Sequence, residues 1–256
     1  MDSIVKRARE VGTSAGVLLP RNWLNKHVVV TLLEISNEKI FQEVMEIIFK
    51  EGLNEEVKGV YLFGSYARGD FDFNSDIDIM VITEKTNRLI SSGKYEILAV
   101  SEENFSKGLK DSLNYRSALM ELTVLLNREL IERYRSKKIQ FDFKKNLAEI
   151  ANVVKINKGT VDICLEKGKF LSDGVIYSIV LRLRELFMIK RILSGEKYSK
   201  KDFLDLVGEK IYSAYSRVKR DEREINDIMP EEVAGLFSLS TKWIKELKGR
   251  KRALKA

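Results

Sequence analysis

The chain has 256 residues, of which 44% are hydrophobic and 32% charged, a balance that excludes a disordered polypeptide and leaves room for a sizeable core. One cysteine, Cys164, rules out an intrachain disulfide and a cysteine zinc cluster, and one histidine, His27, leaves little for histidine-based catalysis, so any chemistry must rest on carboxylates, hydroxyls and basic groups. The net charge of +7 is an end effect: residues 1–35 carry five basic and three acidic groups, residues 245–256 six and one, and the remaining body is neutral.

No apolar run reaches the roughly 20 residues of a membrane span and no secretory signal opens the sequence, so a cytoplasmic protein without membrane contact is expected. Residues 4–11 and 15–19 read as short strands joined by Gly12-Thr13-Ser14. A proline-started helical turn over residues 20–24 and β-branched Val28-Val29-Val30-Thr31 follow. This unit is too small to bury a core alone and needs a second copy or the rest of the chain. From Ser36, a helix N-cap, an amphipathic segment places Ile40, Val44, Ile47 and Ile48 on one face and ends at Gly52.

Three strand-like runs come next, residues 57–63, 77–83 and 95–101, with helical material expected between the second and third. They predict a small mixed sheet with helices on one face. Residues 112–135 return to helical spacing, with Leu119, Leu122, Leu126 and Leu130 as a stripe, and so do residues 143–159, 173–194, 203–220 and 230–248. A frayed basic tail is expected over residues 248–256. The expected fold is α+β in three parts: a β-rich arm over 1–35, a small mixed-sheet domain over 36–140 and a helical bundle over 141–256.

The passage carrying chemistry runs from Val60 to Val81, VYLFGSYARGDFDFNSDIDIMV. A strand ending at Phe63 is followed by Gly64-Ser65, where glycine lets the backbone approach a ligand and a helix start offers free N–H groups to phosphate oxygens. Asp76 and Asp78 stand two apart, so strand alternation points both carboxylates to one face. Two such anions repel unless neutralised, and Mg²⁺ suits them, since it takes one or two protein carboxylates and fills its other positions with water and phosphates. Arg68 matches phosphate oxygens or salt-bridges Asp70, and Asp70 and Asp72 read as turn residues.

These residues resemble the nucleotidyltransferase superfamily of DNA polymerase beta, in its minimal prokaryotic form, through Gly-Ser-x-Ala-Arg-Gly and Ser-Asp-Ile-Asp. The resemblance implies a Mg²⁺-dependent enzyme of the EC 2.7.7 type that passes a nucleoside monophosphate from ATP or another triphosphate to an acceptor hydroxyl. Gly64, Ser65, Arg68 and Ser75 would bind the nucleotide. Asp76 and Asp78, with a third acid best matched by Glu96, would be catalytic and hold two Mg²⁺ ions. Minimal members include antitoxins that adenylylate a partner, so the acceptor, a protein, small molecule or RNA, stays open.

Residues 5–24 resemble the half-barrel of AbrB-type swapped-hairpin domains, which implies a homodimer and DNA contacts through Lys6, Arg7 and Arg9; a plain dimerisation arm is the alternative. The C-terminal helices resemble HEPN-like bundles, but no histidine follows His27, so a HEPN nuclease is not expected. Tyr212, Tyr215, Arg217, Lys219 and Arg220 are candidates to line a base or acceptor cleft, or an ordinary charged helix face. Cys164 is read as packing. A second function class also fits the sequence: a DNA-binding regulator or antitoxin that uses the nucleotidyltransferase fold as a nucleotide-binding module.

Overall fold

The computed structural model describes residues 4, 6, 8–31, 36–72 and 75–253. The chain divides into two compact units, Met1–Glu103 with Leu122–Arg133, and Asn104–Glu121 with Tyr134–Ala256. Among the described residues no helix is long and apolar enough to cross a membrane.

The first unit opens on a hairpin of β1 (Arg9–Val11) and β2 (Ser14–Gly16), closed by a two-residue turn in which Gly12 takes φ 60°. Both strands are shorter than the expected 4–11 and 15–19. A 3-10 turn over Arg21–Trp23 follows Pro20, as the proline predicts. Residues 26–31 have no regular secondary structure, although valine favours strands. Val29 is 93% exposed, and β propensity acts only where a neighbouring strand and a core receive the side chains.

Helix α1 (Asn37–Lys50) starts where Ser36 Oγ accepts a hydrogen bond from the Lys39 N–H at 3.2 Å, and its Ile40, Val44 and Ile48 are buried. Then come β3 (Val57–Phe63), the single-turn α2 (Gly64–Arg68), β4 (Ile77–Thr83), β5 (Arg88–Ser92) and β6 (Tyr95–Ser101). Next are α3 (Glu102–Gly108), α4 (Leu113–Glu121), β7 (Thr123–Leu126) and α5 (Arg128–Ser136). The sheet order is β5-β6-β4-β3-β7, with β4 and β6 parallel and every other pair antiparallel.

Alternation sorts the sheet's side chains. Val60, Leu62, Ile77, Ile79, Val81, Ile97 and Ala99 join Ile40, Val44 and Ile48 of α1 in one apolar cluster. Tyr61, Met80, Ile82 and Val100, of the other parity, are buried as well, so the central strands are apolar on both faces.

Two expectations fail here. The material between the second and third strand runs is not helical but forms β5. Gly93, at φ 58°, begins a two-residue turn that pairs Ser92 with Tyr95, and Leu89 points out while Ile90 points in. Nor is 112–135 one helix, because β7 interrupts it. Asn127 adopts φ 63° there, its Nδ2 donates to the Lys58 carbonyl at 2.7 Å, and its Oδ1 accepts from the Leu130 N–H at 3.1 Å. Tyr61 Oη donates to the Asn127 carbonyl at 2.9 Å. The stripe of leucines is therefore spread over α4, β7 and α5, with Leu122 between α4 and β7, and Leu126 is exposed.

The second unit, with α4 and most of α3, is helical: α6 (Lys144–Glu166), α7 (Asp173–Ser194), α8 (Lys200–Val207), α9 (Glu209–Lys219) and α10 (Ala234–Ala253). Gly208, at φ 84°, splits the helix expected over 203–220. Helix α6 outruns its expected end at 159, and α10 continues through the segment read as a frayed tail, of which 254–256 lie outside the described residues. Ile176, Ile179, Leu183, Leu186 and Ile189 of α7 lie in the middle of one continuous core with α6, α8, α9 and α10. Half-buried Cys164 packs against it, in line with its expected role.

Candidate active site

Strands β3 and β4 end together, with Phe63 in register with Asp78. The chain then turns through Gly64 at φ 71°, a conformation L residues rarely adopt, and its Cα lies against the Asp78 carboxylate. A Cβ on residue 64 would stand 2.8 Å from Asp78 Cγ and closer still to Oδ2. No side-chain cap closes the start of α2, and Gly69, in the left-handed region, ends it. Gly64, with half-buried Ser65 next in the chain, thus sits beside Asp78.

The parallel pairing of β4 with β6 sets Asp78 beside Glu96 in register, so the two carboxylates share the sheet face opposite α1. Asp78 is half-buried, and Glu96 and Asp76, one residue before β4, are exposed. Asp76 stands near Tyr66, whose phenol is pushed above its ordinary pKa by burial first and then by the charges of Asp72 and Asp76. Hard carboxylate oxygens fit a hard divalent cation that needs only one or two of them. Among the described residues no three acidic, histidine or cysteine side chains are gathered round one point as a finished metal cage.

The linking loop is tied down by its own polar groups. Arg68 Nε donates to Asp70 Oδ2 at 3.0 Å, with both side chains largely covered, so the Asp70 pairing accounts for that edge of the guanidinium. Ser75 Oγ accepts from the Asp72 N–H at 2.8 Å and donates to Asp72 Oδ1 at 3.2 Å, which commits its hydroxyl to the turn. Tyr66 stacks on Phe71 with ring centroids 4.2 Å apart.

Tyr66, and the pair formed by Tyr95 and Glu43, stand beside the site without being expected from the sequence. Tyr95 Oη donates to Glu43 Oε2 at 2.7 Å, and burial, that hydrogen bond and the carboxylate charge hold the phenol above its ordinary range. Tyr66 lay inside the motif and could have been found there. Glu43, on α1, meets Tyr95 only through the fold.

The flanking candidates separate. Lys6 and Arg9 are exposed, and Arg7 lies outside the described residues. Arg217 is committed to an ion pair: its Nε and Nη2 donate to the fully buried Asp173 carboxylate at 2.7 and 3.1 Å. Tyr215 is buried, stacked on Tyr177 with centroids 5.2 Å apart, whereas Lys219 and Arg220 are exposed.

The family model described as "Nucleotidyltransferase domain" matches residues 45–193. Two Methanocaldococcus jannaschii proteins are similar: "Putative protein adenylyltransferase MJ0141", 37% identical over 87 residues that cover 27% of this chain and 87% of that protein, and "Putative protein adenylyltransferase MJ0604", 33% identical over 101 residues that cover 36% and 99%. A crystal structure of a nucleotidyltransferase-like protein from Exiguobacterium sibiricum aligns over 81% of this chain and 75% of its own, at 12% identity and a TM-score of 0.35.

Proposed function

The chain belongs to the nucleotidyltransferase family and is a transferase of the EC 2.7.7 type, and from that premise we propose that it moves a nucleoside monophosphate from ATP onto a hydroxyl of a protein acceptor. The observation that carries the reading is the corner where Gly64 lies against Asp78 and Asp78 stands in register with Glu96. The two relatives named as protein adenylyltransferases support both the nucleotide and the acceptor.

In this reading Ser65 and the backbone at Gly64 hold the triphosphate, glycine allowing the close approach. Asp76 and Asp78 are the residues that would hold Mg²⁺, which when bound neutralises the triphosphate and the departing pyrophosphate, with Glu96 beside Asp78. Asp78, braced by Gly64, keeps a fixed position. A carboxylate oxygen of Glu96 takes the proton of the acceptor hydroxyl as its oxygen bonds to the α-phosphorus and the bond from that phosphorus to pyrophosphate breaks. Catalysis consists of positioning and charge stabilisation, which suits a chain with one histidine.

The test is a pair of labelled nucleotides with candidate proteins and Mg²⁺. Label from the α-phosphate appears on protein and label from the γ-phosphate leaves as pyrophosphate. Label retained from the γ-phosphate identifies a kinase-type transfer and contradicts the proposal.

A further inference from the structure

The helical unit carries an arginine whose donors are only partly answered by its neighbours. Arg184, on α7, lies over the Tyr198 ring with its guanidinium carbon 5.2 Å from the centroid, and its Nη1 donates to Tyr215 Oη at 3.5 Å. Its Nε is buried with no hydrogen-bond partner, and among the described residues no carboxylate pairs with it. Glu185, its neighbour in sequence, is paired with Arg182 at 2.8 Å. The Tyr198 ring offsets part of the charge but supplies no acceptor.

Tyr215 completes the arrangement. Its hydroxyl oxygen accepts from Arg184, which leaves its own proton to be donated, and its ring is fixed between Tyr177 at 5.2 Å and Tyr212 at 5.5 Å. A covered guanidinium normally has an anion beside it, because burying a charge without a partner is costly. Arg184 is only half-buried, so part of its side chain remains open to solvent.

We propose that Arg184 and Tyr215 form an anion site within the helical unit that takes a phosphate group. A phosphate has enough oxygens to accept from the guanidinium fork and the phenol together. The group could be free phosphate or the phosphate of a nucleotide.

The experiment is calorimetric titration of the full chain without divalent cations, using inorganic phosphate in one arm and AMP in the other. Wild type binds. Arg184→Gln weakens binding by about tenfold or more, and Tyr215→Phe, which removes only the hydroxyl, by about threefold. Tighter binding of AMP than of phosphate identifies a nucleotide as the source, and equal binding identifies free phosphate; either supports the site. Absence of binding by wild type overturns it. So does loss of binding in Ser65→Ala with wild-type affinity in Arg184→Gln, which would move the anion to the candidate active site. Should Arg184→Gln fail to fold, Tyr215→Phe decides, and unchanged affinity in that variant overturns the proposal.

Discussion

Asp78 fills the space that a side chain at Gly64 would need, so the glycine that follows β3 and the carboxylate on β4 are two parts of one structure. Residue 64 needs both a positive φ and an absent Cβ, and only glycine supplies both without strain. Gly64→Ala should therefore cost about 1–3 kcal/mol in urea unfolding and lose nearly all transfer activity, because the carboxylate must move aside. An alanine variant with wild-type stability and turnover would show that the contact is slack.

The neighbouring acids should separate by role. Asp78→Asn removes a cation ligand and should abolish Mg²⁺-dependent transfer, whereas Glu96→Gln should lower the transfer rate by about 10² to 10⁴-fold with little change in the KM for ATP. Steady-state kinetics on both variants, with circular dichroism to confirm folding, provides the check. Equal loss of ATP affinity in the two would remove the proton-accepting role from Glu96.

The buried Asp173 pair governs acid stability. Burial alone would raise this carboxyl, but hydrogen bonds and charge from Arg217, with the Ile225 and Asn226 N–H groups, hold it below its ordinary range. Since the folded pKa lies below the unfolded one, the stabilisation is full above about pH 4 and is lost as pH falls through the folded value. Arg217→Gln leaves the carboxylate buried without its cation and should cost about 3–5 kcal/mol at neutral pH. Its unfolding midpoint should then rise on acidification towards pH 4, the reverse of the wild-type trend, as a pH series of thermal melts will show.

Asn127 is the hinge between β7 and α5. Asn127→Ala loses a cap, a bond to Lys58 and an easy left-handed conformation, and should cost about 1–3 kcal/mol by denaturant unfolding. Asn127→Gly, which keeps the conformation but not the bonds, should cost less.

The three central strands were legible because each is a short apolar run bounded by turn residues, and β3, β4 and β6 run over the expected residues. Strands β5 and β7 were not, since both are edge strands whose period is blurred by exposed Leu89 and Leu126 and whose identity depends on the neighbour they pair with. In the site, the spacing from Gly64 to Asp78 could be read along the chain, whereas Glu96 was matched only through the family resemblance, and its register with Asp78 is set by the parallel pairing of β4 with β6. The pairing of Ser75 with Asp72 is local but depends on loop geometry, and Tyr95 meets Glu43 across 52 positions, which no periodicity reports.

The most direct test of transfer at this corner compares wild type with the Asp76→Asn/Asp78→Asn double variant, each incubated with ATP labelled at the α-phosphate, Mg²⁺ and cell extract. Wild type should label one or more proteins and the folded double variant none. Equal labelling by the double variant would contradict transfer at this corner.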